Sequence, residues 1–234
     1  MRILALFMAS AFLLGCSSTP LSPKGEAVYY ALETDTLLRT WEESCKEVNL
    51  DVKQKALLTR QNWWQRNGTF VEAADFGLAY DMIQISGDRP ETGARLALAV
   101  TWDIVENADQ TVEKQLAKGD AAATCAEVME SFSKGNYDLN RNKVHYNQLV
   151  ELQGLKQAKS SDLKLKQASV EKISQKEFGR SYYVVEKIAA KQGCDSAKVQ
   201  LIKNNWPSDL YGLTCPNNTH NYVQCEWGRC RLIE

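Results

Sequence analysis

The chain has 234 residues, 44% of them hydrophobic, and its 28 lysines and arginines stand against 29 acidic residues for a net charge of −1. That length supports one large or two small domains, each with a core of its own. The near-neutral balance lacks the basic surplus that marks a nucleic-acid binder. Beyond the first residues, no apolar run reaches the roughly 20 residues that a membrane-crossing helix needs.

Residues 1–15 have the three parts of an export signal: Arg2 as a short positive region, an apolar run from Ile3 to Leu14, and the small residue Gly15 ahead of Cys16. The run is too short to span a bilayer as a helix. Leu13-Leu14-Gly15-Cys16 resembles the lipobox of bacterial lipoprotein signal peptides. The resemblance implies cleavage before Cys16, lipidation of its thiol and acylation of the new amino end. One acyl chain binds a membrane only marginally and stable anchoring takes two or more, which such a residue supplies. Ser17 is not the aspartate that typically retains lipoproteins in the inner membrane, so the resemblance implies an outer-membrane anchor with the body in the periplasm. Residues 16–25, small and polar with Pro20 and Pro23, read as the lipidated tether.

Residues 26–137 read as a helical bundle. Leu37, Leu38, Trp41, Cys45 and Val48 recur at three- and four-residue steps, and Val52, Ala56, Leu57, Trp63 and Trp64 form a second stripe. Asn67-Gly68 is read as a break, with Thr69 capping the next helix and Glu72 as its capping-box partner. Phe70, Ala73, Ala74, Gly77 and Tyr80 make the third stripe, ended by the turn Ser86-Gly87-Asp88-Arg89-Pro90. Leu98, Trp102, Val105, Val112 and Leu116 make the fourth. Gly119-Asp120 resets the chain before Ala122, Cys125, Val128, Met129 and Phe132 make the fifth. Five amphipathic helices with short connections predict a five-helix bundle.

Residues 138–180 read as a mixed, lysine-rich connecting segment. Val144, Leu149, Leu152 and Leu155 are spaced to continue a helix, whereas Leu163 and Leu165 alternate with lysine and predict a half-exposed strand. Lys156, Lys159, Lys164, Lys166, Lys172 and Lys176 are taken as a solvated face rather than a surface for anionic lipid or glycan phosphate.

Residues 181–234 predict a small disulfide-rich α+β domain, one helix on an antiparallel meander. Tyr182, Val185, Ile188 and Ala189 give the helix, closed by Gln192-Gly193. Val199 and Leu201 alternate, and Leu210–Cys215, Tyr222–Trp227 and Arg229–Ile233 are strand candidates separated by the turns Pro216-Asn217-Asn218 and Trp227-Gly228.

Six cysteines remain after Cys16: Cys45, Cys125, Cys194, Cys215, Cys225 and Cys230. An even number in an exported protein predicts disulfides. Cys45 and Cys125, both on apolar helix faces, are the first expected pair. If Trp227-Gly228 is a two-residue hairpin turn, Cys225 and Cys230 face each other and Cys194 joins Cys215. The other arrangement is Cys194 with Cys230 and Cys215 with Cys225.

The motifs of chemistry are few. His145 and His220 are the two histidines, and there is no nucleophile elbow, paired-histidine zinc motif, phosphate-binding glycine loop or Cys-x-x-Cys. A four-cysteine zinc site lacks the tight paired spacing it needs, and neither a metal nor a cofactor is expected. Glu42-Glu43 and Asp103 with Glu106 lie on amphipathic helices and read as solvent faces. Asp75-Phe76-Gly77 is a three-residue coincidence with a kinase motif. Trp63, Trp64 and Arg66 form the one candidate binding patch, suited to stacking on a sugar ring or a partner.

The expectation is an outer-membrane-anchored periplasmic lipoprotein without enzyme activity: an interaction or accessory module for an envelope complex or ligand, with a protein partner and no nucleic acid. The alternatives are an envelope hydrolase or glycan-modifying enzyme using dispersed carboxylates, and an inhibitor or immunity-type lipoprotein.

Overall fold

The computed structural model describes residues 21–86, 90–175, 177, 179, 181–205, 208–226 and 229–233. The predicted signal peptide, Cys16, most of the tether, Gly87-Asp88-Arg89 and the Trp227-Gly228 turn lie outside the described residues. The described chain is mainly helical, with six α-helices followed by a four-stranded antiparallel sheet. The helices are α1 (Pro23–Cys45), α2 (Leu50–Ser86), α3 (Pro90–Leu116), α4 (Ala121–Ser133), α5 (Lys143–Ser174) and α6 (Tyr182–Lys191), with a single 3-10 turn at Leu139–Arg141. The strands are β1 (Lys198–Asn205), β2 (Ser208–Thr214), β3 (His220–Glu226) and β4 (Arg229–Ile233).

Side-chain caps set several starts. Ser22 Oγ accepts from Gly25 N at 3.1 Å ahead of α1, Asp120 Oδ1 from Ala123 N at 2.7 Å ahead of α4, and Asn142 Oδ1 from His145 N at 3.2 Å ahead of α5. Each satisfies a first-turn N–H that the helix itself leaves unpaired.

One core draws on α1 to α5 and the 3-10 turn. Leu32, Leu38 and Trp41 of α1 meet Trp63 and Val71 of α2, Ile104 and Val112 of α3, Met129 and Phe132 of α4, Leu139, and Leu149 and Leu152 of α5.

The Asn67-Gly68 break is corrected: α2 runs unbroken for 37 residues across it. Both residues are buried there, for different reasons. Asn67 Nδ2 donates to Asp138 Oδ1 at 3.0 Å, and Asn67 Oδ1 accepts from Leu139 N at 2.9 Å, clamping the 3-10 turn onto α2. Gly68 lies under the Trp64 ring, where a Cβ would stand 2.7 Å from Trp64 Cε2. The glycine serves a close approach rather than a turn. Residues 26–132 consequently hold four helices rather than five.

Of the α3 stripe, Val112 is buried and Leu116 packs against the core, whereas Trp102 and Val105 are half-buried and Thr101, Ile104 and Ala108 are buried beside them. Trp102 faces α6, whose Lys187 and Lys191 ammonium groups lie 4.7 and 5.1 Å from its ring centroid. Cations over an indole face are held by its quadrupole.

The strand expected around Leu163 and Leu165 is instead the second half of α5, a 32-residue helix packed on α1 and α2. Leu163 is buried and Leu165 is exposed, as helical geometry dictates for neighbours two apart. Several lysines of this segment are engaged: Lys156 with Glu72, Lys159 with Asp162, and Lys166 over the Tyr80 ring.

The sheet is a meander in the order β1-β2-β3-β4. Its β1 is a fourth strand where Val199 and Leu201 alternate, with an irregularity between Leu201 and Lys203. Tyr211, Leu213, Val223 and Cys225 form a second core with Tyr182, Tyr183, Val185 and Ala189 of α6. Gly193 closes α6 at φ 73°, in the left-handed region that favours glycine.

The six cysteines stand in three pairs at disulfide distance: Cys45 with Cys125, Cys194 with Cys215, and Cys225 with Cys230. The Cα separations are 5.7, 5.3 and 3.9 Å. Cys225 and Cys230 are register partners across the β3–β4 hairpin, and Glu226 with Arg229 is the next pair toward its tip.

Candidate functional site

The facing ends of β3 and β4 rest on the bundle through Glu226 and Arg229. Along α1, Asp35 and Arg39 are one helical turn apart, and Arg39 Nε donates to Asp35 Oδ2 at 2.9 Å. The pair is buried, and α2 adds Arg60, whose Nη2 lies 3.0 Å from Asp35 Oδ1. A buried carboxylate holds its charge only when paired in this way. Arg39 also reaches Glu226 at the end of β3. Arg229, at the start of β4, donates to Glu43 Oε2 at 2.7 Å, to Thr40 Oγ1 at 2.6 Å and to Asp109 Oδ1. Two residues paired across one turn thus join the meander to α1 and α3.

Burial shapes the proton affinities of this network. It lowers the Arg60 guanidinium, with Asp35 opposing that shift. It raises the half-buried Glu42 carboxyl against the pull of Arg60. Farther along α1, burial and the neighbouring Asp103 raise Glu33.

Beside Arg229 lies a groove of about 620 Å³. It is lined by Thr40, Glu43 and Ser44 of α1 and by Asp109, Val112, Glu113, Leu116 and Ala117 of α3. A second cleft of about 380 Å³ lies between α2 and α5, bridged by the Glu72–Lys156 pair. Phe76, from the kinase-like triplet, lines that cleft with Asp75 and stacks on Tyr80.

The predicted patch is taken up by the fold. Trp63 is fully buried; its Nε1 donates to Tyr137 O at 3.1 Å and its ring meets Phe132 edge-on. Arg66 grips both oxygens of Asp138 at 2.9 and 3.1 Å and donates to Phe132 O at 3.0 Å. Trp64 keeps a half-exposed ring, with Arg60 4.9 Å from its centroid. The three residues share one stretch of α2, and two of them hold the α4–α5 connection in place.

The acidic pairs separate as well. Glu42 turns to Arg60 and Glu43 to Arg229. Asp103 accepts from Tyr29 Oη at 2.6 Å, whereas Glu106 accepts from Gln110 on an exposed face. His145 lies tilted against Tyr30 with ring centroids 5.0 Å apart, and exposed His220 meets Thr214. Sequence reasoning passed over Asp35, Arg39, Arg60, Glu226 and Arg229. The available signals were the i, i+4 acid–base spacing on α1 and the Glu-x-x-Arg spacing across the hairpin turn.

Among the described residues, no group of three or more His, Cys, Asp or Glu is placed to hold a metal ion, and no helix is long and apolar enough to cross a membrane. Comparison with protein-family models, with curated proteins and with solved structures gave no match to this chain.

Proposed function

We propose that the chain is an outer-membrane-anchored periplasmic lipoprotein and that its folded body is a non-catalytic interaction module for an envelope complex or envelope ligand. The observation that carries this reading is the stretch Leu13-Leu14-Gly15-Cys16 at the end of an apolar run, followed by Ser17. Three cysteine pairs at disulfide distance suit an oxidising compartment. In this reading α1–α5 form a five-helix bundle, residues 181–234 form a small disulfide-rich α+β domain, and the seam between them faces the partner.

The test is fractionation of cells producing the Cys16→Ala chain. The substituted protein should leave the outer-membrane fraction while the parent chain stays in it. Equal membrane association of the two would overturn the anchor. Cross-linking of the parent chain in cells should then capture a periplasmic or outer-membrane protein.

A further inference from the structure

We propose that the groove between α1, α3 and Arg229 binds a basic peptide segment in which a lysine or arginine stands next to an apolar residue. The proposal rests on the interaction-module reading and names the chemistry of the partner.

The first argument is charge. Glu43, Asp109 and Glu113 contribute three carboxylates to the lining, against the single guanidinium of Arg229. Arg229 is engaged by Glu43 and Asp109, and Glu113 meets no cation among the described residues. The groove lining therefore carries more negative than positive charge.

The second argument is the direction of the helices. Tyr29 meets Asp103 and Asn107, and farther along both helices Thr40 meets Asp109, so α1 and α3 run parallel. They end at Cys45 and Leu116, which places both C-termini beside the groove. Each helix end carries about −0.5 of an elementary charge, which favours cations. Anionic lipid headgroups and phosphorylated glycans are repelled by the same field.

The third argument is the apolar part of the lining. Leu116 and Ala117 give the groove apolar area beside the carboxylates, so a guest with both a cation and a hydrocarbon side chain fits better than a bare amine. The groove is open to solvent, and its volume of about 620 Å³ leaves room for a few side chains. From Asp109 to Ala117 the α3 side is about 12 Å long at 1.5 Å per residue, matching three to four residues of extended peptide at roughly 3.3 Å each. Arg229 shows how the guest is read: a guanidinium already bridges Glu43 of α1 and Asp109 of α3.

The experiment titrates the full chain, purified in a nonionic detergent, with acetyl-Leu-Lys-Leu-Arg-amide by calorimetry. Saturable binding is expected at low ionic strength, weakening in about 0.5 M salt as charge is screened. The counterpart acetyl-Leu-Glu-Leu-Asp-amide should not bind. Glu113→Lys should weaken binding about tenfold, by removing one ion pair and adding a repulsion. Glu151→Lys, an identical charge change on exposed α5, should leave binding unchanged; circular dichroism verifies that both variants fold. No saturable binding by the folded parent up to about 1 mM peptide, or equal weakening by the two variants, would overturn the proposal. Peptide binding together with failure of the Cys16→Ala fractionation would leave the groove standing and remove the anchor. The reverse pattern would remove the groove alone.

Discussion

Trp41 and Trp63 are fully buried in the core shared by α1 to α5, whereas the largest fully buried side chain under the sheet is Tyr211. The bundle has one cysteine pair in its core, and the meander has two in its last 41 residues. The two regions therefore balance the entropy of folding by different routes. A large apolar interior supplies most of what the bundle needs, whereas a domain this small lacks the area and needs covalent staples. Each region also has a buried polar clamp that joins distant segments. In the bundle Asn67 bridges to Asp138 and Leu139; in the meander Asp209 Oδ2 accepts from Tyr211 Oη at 3.0 Å and from Ser181 N at 3.2 Å. Such clamps select one arrangement of neighbouring segments more than they add net stability.

The strongest way to break this comparison is Trp63→Ala. The substitution opens a cavity at a fully buried site and removes the N–H that Tyr137 O accepts. Large-to-small changes of this kind cost about 3–5 kcal/mol. Urea denaturation followed by helical circular dichroism should show that loss, and a change below about 1 kcal/mol would mean that Trp63 is not the packing centre of the bundle.

Next come the cysteine pairs. The chain-entropy account assigns roughly 4 kcal/mol to a link spanning 80 residues and roughly 2 kcal/mol to one spanning 5. Cys45→Ser with Cys125→Ser should lower the bundle's denaturation midpoint and leave it folded. Cys225→Ser with Cys230→Ser, the smaller loss in energy, should have the larger local consequence, because the meander has less core to fall back on. Hydrogen exchange resolved by segment tests this: strands β2 to β4 should lose protection while α1 and α2 keep theirs. Equal protection of the sheet in both proteins would show that its apolar core suffices. Non-reducing peptide mapping should recover the three pairs, and a free thiol at any of the six would sink that pairing.

The same contrast explains what could be read from the sequence. Alternating residues between turn signals made the meander legible, since strand geometry needs only local information, and a two-residue turn at Trp227-Gly228 was one of two readings, the one that sets Cys225 opposite Cys230. The bundle was legible as helical, but its segmentation was not. Asn67-Gly68 carries the local signature of a break, and its burial depends on Asp138 and Leu139, about seventy residues away. Likewise the α3 stripe was read as a single face of the bundle, whereas Trp102 serves α6. The lysines that suggested a loose connector in α5 are answered by partners such as Glu72 on α2. The groove was hidden for the same reason: Glu43, Asp109, Glu113 and Arg229 are far apart in the chain and meet only once α1 and α3 run parallel beside the start of β4.

The smallest expected effect sharpens the bundle side of the comparison by probing the contact that sets α1 against α3. Tyr29 Oη donates to Asp103 Oδ2 at 2.6 Å and accepts from Asn107 Nδ2 at 3.2 Å. Burial first, and then the hydrogen bond to Asp103, push its hydroxyl up from 10.0 to about 12, with Asn107 opposing. The folded chain thus holds this proton more tightly than the unfolded chain does. That contribution to stability is complete below about pH 10, where tyrosine ionises in an unfolded chain, and it is lost as the pH rises through the folded value of about 12. Tyr29→Phe removes the bond and should cost about 1 kcal/mol at pH 8. Measured by urea midpoint, the gap between the parent chain and Tyr29→Phe should close as the pH rises above 10, while the other tyrosines, common to both proteins, cancel. A gap that stays constant to pH 11.5 would mean that Asp103 does not hold the Tyr29 proton, and that α1 and α3 are set parallel by apolar packing alone.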